Sequence, residues 1–286
     1  MIDAIVVPRV REVAGLPVLR VLPSLARRSV GPFVFLDQMG PHALAPGHGV
    51  DVPPHPHIGL ATVTYLFEGD LVHRDSLGSL QPIRPGDINW MTAGRGIAHS
   101  ERSGDAARAA GSRMHGVQLW VALPRDAEEA PPAFHHHPAA TLPGRDDGGV
   151  AIRLLVGEAF GLVSPVAAAS PLVYADLALP AGRELALPEE IEERALFVAR
   201  GACLVGDTRV TESQLVALRP GPARVRADGD ARLLLLGGPP LDGHRHLWWN
   251  FVSSSRDRIE QAKRDWREGR FAPIPGDDRD RVPLPD

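Results

Sequence analysis

Glycine and proline interrupt this chain so often that its apolar segments stay short. With 29 glycines and 28 prolines in 286 residues, turns recur too frequently for long helices to dominate. Between the turns lie apolar or alternating runs at residues 33–36, 62–67, 117–123, 152–156, 172–179, 196–199, 214–218 and 232–236. In residues 61–67, Ala61, Val63, Tyr65 and Phe67 share one face of a strand, and Thr62, Thr64 and Leu66 share the other. Many short strands with one buried face each predict antiparallel sheets, doubled or closed to protect their edges. The expected fold is all-β, with two antiparallel β-barrel domains and a short C-terminal helix.

The stretch 131–149, rich in Pro, His, Asp and Gly, breaks the strand rhythm near mid-chain. It places a domain boundary between residues 1–135 and 146–286. The helix is expected from about Arg256 to Glu268, capped by Ser254 or Ser255, ended by Gly269 and followed by Pro273. Ile259, Ala262 and Trp266 form its apolar stripe, so it packs on a sheet edge.

Composition narrows the function classes. A formal charge of -4 provides no broad field for phosphates, which argues against nucleic acid and anionic membranes as ligands. Hydrophobic residues at 44% and charged residues at 23% are enough for a packed core. Cys203 is the single cysteine, so no intramolecular disulfide forms, and it reads as a core thiol. Neither a signal sequence nor a membrane span is evident, and a cytoplasmic location is expected.

Chemistry concentrates in the histidines. Of the twelve, none falls between His137 and His244, so the second domain has no imidazole ligands of its own. The first domain contains His55-Pro56-His57 and His99-Ser100-Glu101. In a strand, residues i and i+2 point the same way. If the two strands are neighbours, His55, His57, His99 and Glu101 converge as three imidazoles and a carboxylate, a donor set for one divalent transition metal. Gly94-Arg95-Gly96 allows a tight turn before the second dyad. His73 and His115 are candidates to orient a ligand or substrate from behind. His135-His136-His137 reads as part of the connector, because three successive side chains cannot share a strand face. His244, His246, Trp248 and Trp249 read as packing residues before the helix.

Gly49, His55, His57, Thr62 and Gly69 follow the spacing of the first cupin motif, with Thr62 where that motif has Glu; Pro85-Gly86-Asp87 and the run to His99 resemble the second. The displaced acid, Glu101, marks one subfamily. Gly31-Pro32-Phe33, Pro53-Pro54-His55-Pro56-His57, Trp90-Met91-Thr92-Ala93-Gly94-Arg95-Gly96-Ile97-Ala98-His99-Ser100-Glu101 and His115-Gly116-Val117-Gln118-Leu119-Trp120 resemble the pirin family. That resemblance implies a bicupin with one metal, usually iron, in the N-terminal cupin, held by His55, His57, His99 and Glu101. Mn, Ni, Co, Cu and Zn suit the same donors.

The resemblance implies two kinds of activity. Some family members open the flavonol quercetin with dioxygen and release carbon monoxide; here Glu101 would accept the proton of the 3-hydroxyl, making it the catalytic residue. Others act as iron-dependent, non-catalytic regulators of a protein partner, for which Arg74, Arg84, Arg95 and Arg102 could form a basic patch. A closed structural metal is a third reading. A hydrolase built from His99-Ser100-Glu101 fails, because Ser100 points away from both neighbours. Gly94-Arg95-Gly96 also fails as a phosphate cradle, because it leads into a strand.

Overall fold

The computed structural model describes residues 2–285. The strands form two sheet pairs, and the chain weaves between two compact units. One unit gathers the chain up to Val10, Leu19–Gln38 and Pro138–Leu241; the other gathers Arg11–Val18, Met39–His137 and the chain from Asp242 onward. These units cut the chain differently from the linear boundary suggested by the sequence. The passage from one to the other at His137–Pro138 does lie inside the 131–149 stretch. The N-terminal strand, however, pairs in the second half, where Ile2–Val6 lies antiparallel to Leu215–Leu218. The terminal helix belongs to the unit with the histidine dyads. Strand pairing and apolar packing act at any sequence separation, so a change in composition along the chain marks a connector without showing which ends return.

In the first unit a seven-stranded sheet accompanies a four-stranded sheet. Between them lies an apolar interior that includes Leu154, Leu177, Val198, Val225 and Leu235, all buried. Cys203 sits among these residues as a buried thiol. This interior is filled with aliphatic side chains and offers no ligand set.

The second unit pairs the four-stranded sheet Asp51–His57, Ile97–Arg102, Leu71–Asp75 and Leu80–Ile83 with a sheet containing Ala133–His137, Ile88–Thr92, Leu60–Glu68 and Ser112–Ala122. In neither unit do the sheets close into a continuous barrel, so the expected barrels are two-sheet sandwiches. The 133–137 segment, expected as connector, is an edge strand that pairs His135 with Trp90 and His137 with Ile88. Pro131-Pro132 and Pro138 bound it, and prolines tolerate the edge of a sheet well.

The terminal helix runs Arg256–Arg267 and is capped by Ser255, whose side chain accepts from the Arg258 N–H. Ile259, Ala262 and Trp266 are its buried stripe, as expected. They pack with Ile58, Ala98, Phe251 and Ile274, while Trp248 and Trp249 cover the edge. A second short helix, Asp105–Ala110, was not expected. Its Asp-Ala-Ala-Arg-Ala-Ala sequence is rich in helix formers, and Gly111, with φ 79°, ends it. Among the described residues, no helix is long and apolar enough to cross a membrane.

Candidate metal centre

Two strands bring the dyads together. Ile97–Arg102 runs antiparallel to Asp51–His57, setting His99 opposite His55 and Ile97 opposite His57. The register then slips: Glu101 faces Val52, so the Asp51–His57 strand has one extra residue at this point. Pro53 and Pro54 occupy the slip, and neither has an N–H to give to the ladder. Their carbonyls serve elsewhere. Pro53 O receives the His55 Nδ1–H at 2.9 Å, and Pro54 O receives the Val282 N–H at 2.9 Å.

Glycines seat these strands against their surroundings. Gly59 has φ +67°, and a Cβ there would stand 2.0 Å from Val252 O. Gly94, with φ +50°, would place a Cβ 2.0 Å from Ala130 O. Any side chain at either position would push away the backbone packed against it.

His55, His57 and His99 form one cluster, with a ring nitrogen of each within 4.8 Å of those of the others. Their ring centroids are 4.3 to 5.1 Å apart. Two of the rings are oriented by backbone carbonyls: His55 Nδ1 by Pro53 O, and His57 Nδ1 by Asn250 O at 3.1 Å. A nitrogen that meets a carbonyl must be the protonated one, which leaves Nε2 of both rings with a lone pair. Burial lowers all three imidazoles, His55 to about 4, and His57 and His99 well below the ordinary histidine range. They are therefore neutral and able to ligate at physiological pH. The edge of Trp120 packs on His57 with centroids 5.2 Å apart.

Nε2 of His99 is buried without a hydrogen-bond partner. An orphaned polar atom in such a place is costly unless something fills it. Three converging imidazoles, one of them with an unsatisfied nitrogen, fit a divalent transition metal, and these residues would hold it.

Glu101 lies two residues beyond His99 on the same face, but its carboxylate is not part of the converged set. Instead Oε1 accepts from the Thr64 hydroxyl at 2.9 Å, and that hydroxyl also lies 3.0 Å from Gln118 Oε1. Burial raises the Glu101 carboxyl above its ordinary range, against the opposing influence of His73 and the Thr64 bond. The arrangement therefore combines a compact three-histidine group with an adjacent, separately tethered carboxylate. Thr62, at the motif's usual Glu position, is buried.

The remaining candidates sort clearly. His73 faces Glu101 across the ladder and contacts the cluster, whereas His115 lies against Phe67 with centroids 4.9 Å apart. Ser100 points away from the histidines, and its hydroxyl donates to Asp277 at 2.6 Å. Arg102 is committed to Asp277 and Asp280 at 2.8 and 2.9 Å, so it is not available to a basic patch. His136 meets Asn89 Oδ1 at 2.8 Å while His135 is exposed, the alternation of an edge strand. His244 and His246 pack on one another.

Sequence reasoning alone did not find Thr64, Asp75, Phe134 or Asn250. Thr64 and Phe134 reach the site from the opposing sheet, and Asn250 acts through its backbone. Their residue types gave no signal for these roles.

An all-β chain with two cupin-type sheet pairs and a three-histidine cluster in one of them defines a bicupin able to bind a metal. Comparison with known proteins agrees with that class. The pirin family model matches residues 15–121 and the pirin C-terminal cupin domain matches residues 174–272. A pirin-like protein of Caulobacter vibrioides is 49% identical over 100% of both chains. The crystal structure of a quercetin 2,3-dioxygenase from Acinetobacter baumannii superposes with a TM-score of 0.92 at 36% identity, covering 99% of this chain and 95% of that one. A bacterial pirin from Escherichia coli, solved in complex with nickel(II), shares the fold at a TM-score of 0.65 and 18% identity, over 83% of this chain and 99% of that one. The chain belongs to the pirin family.

Proposed function

We propose that this protein is a metal-dependent dioxygenase that opens flavonols of the quercetin type with dioxygen and releases carbon monoxide. The metal is iron(II), held by His55, His57 and His99, with Glu101 as a fourth, weaker ligand that doubles as the base. The observation carrying this reading is the separation of the two groups: three converged imidazoles, and beside them a carboxylate tethered by Thr64.

When bound, the metal supplies a Lewis-acidic, redox-active centre for the flavonol and dioxygen. The chain's own residues contribute positioning and proton transfer. Oε1 of Glu101 is engaged by Thr64, which leaves Oε2 to take the proton of the 3-hydroxyl. Burial raises the basicity of that carboxylate and suits it to the task. Trp120, stacked edge-on against His57, and Phe134 provide apolar surface for an aromatic ligand.

The test is dioxygen uptake and carbon monoxide release with quercetin, using protein loaded anaerobically with Fe(II). His57→Ala and metal-free protein serve as controls. Metal-dependent uptake with stoichiometric carbon monoxide is expected; no uptake by fully loaded protein would overturn the assignment.

A further inference from the structure

We infer that Asp75 and His73 are positioning residues that fix the tautomer of His99 and so aim its Nε2 lone pair at the metal. The inference rests on the metal reading above and adds two residues that touch neither metal nor substrate.

His99 is the one cluster histidine with no backbone carbonyl on its Nδ1. That nitrogen faces Nδ1 of His73 at 3.4 Å. On its far side, Nε2 of His73 meets Asp75 Oδ2 at 3.0 Å. The other oxygen of Asp75, Oδ1, accepts from the Leu77 and Ser79 N–H groups at 2.9 and 3.0 Å. Both oxygens are thus acceptors, and the carboxyl is held below its ordinary range despite burial. His73 must donate through Nε2. Phe134 lies flat over the His73 ring, with centroids 4.2 Å apart and planes within 11°, which prevents the ring from turning.

One proton sits between the two facing Nδ1 atoms. If His73 held it, His99 would carry its own proton on Nε2, a buried N–H pointing at nothing. If His99 holds it, every donor in the row has an acceptor and Nε2 presents a lone pair to the cluster. The second arrangement satisfies the buried polar groups. Ladder register places the row: the strand on one side of Ile97–Arg102 sets His55 opposite His99, and the strand on the other side sets Asp75 opposite His99 and His73 opposite Glu101.

Asp75→Asn provides an isosteric test. The two backbone N–H groups hold the side-chain oxygen where Oδ1 stands now, so the amide NH2 faces His73. Nε2 of His73 must then accept, its Nδ1 carries the proton, and the proton of His99 moves to Nε2. Two measurements follow. In 15N NMR of the metal-free native chain, His99 should be protonated on Nδ1 and His73 on Nε2; both assignments should invert in Asp75→Asn. In titrations with Co(II), Asp75→Asn should bind roughly 10–100-fold more weakly than the native chain, with an unchanged far-UV spectrum. A native His99 protonated on Nε2 would overturn the inference. So would an Asp75→Asn protein that keeps either the native Co(II) affinity or the native tautomers. If the variant does not fold, the native NMR spectrum still decides. If the native chain fails to bind Co(II), the metal reading falls, while the tautomers continue to test the relay.

Discussion

The Thr64 hydroxyl donates a hydrogen bond to Oε1 of Glu101 at 2.9 Å, from the sheet opposite the one that carries the histidines. The bond joins the two sheets at the carboxylate two residues from His99. Removing it leaves a buried carboxylate with one fewer donor, and hydrogen bonds to charged groups contribute about 1.5–3 kcal/mol. Thr64→Val should therefore lower kcat for flavonol turnover by roughly tenfold or more, and Thr64→Ser should restore it. Steady-state kinetics on metal-loaded variants would check both, and native turnover in Thr64→Val would show that the tether plays no part in catalysis.

Glu101 and His57 should separate binding from chemistry. His57 is one of three converged imidazoles, so His57→Ala should lose the metal. Glu101 stands apart from that set, so Glu101→Gln should retain most of it and lose about 10²–10⁴ in turnover. Metal analysis alongside oxygen uptake distinguishes the two variants. Full turnover by metal-loaded Glu101→Gln would remove Glu101 as the base.

The C-terminal helix contributes stability through its buried apolar stripe. Trp266 is buried against Phe271, and its indole N–H donates to Val282 O at 2.9 Å. Trp266→Ala leaves a large void and should cost about 3–5 kcal/mol. Chemical denaturation would measure it, and a loss below about 1 kcal/mol would mean that the helix is only loosely attached.

Cys203 offers a pH test remote from the histidines. Burial pushes its thiol up to about 12. The folded protein keeps the proton while the unfolded chain releases it from about pH 9 upward. The stability due to the neutral thiol is thus fully present below pH 9 and lost as pH rises toward 12, at about 1.4 kcal/mol per pH unit from this group. Iodoacetamide should leave the native protein unmodified at pH 8 and label it after unfolding; rapid labelling of native protein would contradict the burial.

Much of the architecture was legible in the residues because strand alternation and turn chemistry are local. The 62–67 run lies inside the strand Leu60–Glu68, the 117–123 run overlaps Ser112–Ala122 in all but Leu123, and the capped helix begins at Arg256 as expected. The HxH dyad was readable for the same reason, since period two places His55 and His57 on one face. What stayed hidden depends on register and distance. Nothing around Asp75 shows that it will lie opposite His99, and the Pro53-Pro54 slip shows only once the partner strand is in place. The return of Asp242 onward to the first half is likewise a matter of packing.

The hydrogen bond from His57 to the carbonyl of Asn250 spans 193 positions. During synthesis the ribosome delivers His55, His57 and His99 well before it delivers Asn250. Until then, the His57 ring lacks the acceptor that selects its tautomer. A nascent chain thus holds its three histidines before the carbonyl that orients one of them, and the candidate metal centre is completed only when the segment around Asn250 docks. The orientation of the His57 ring is in that sense a late event, set by the arrival of Asn250.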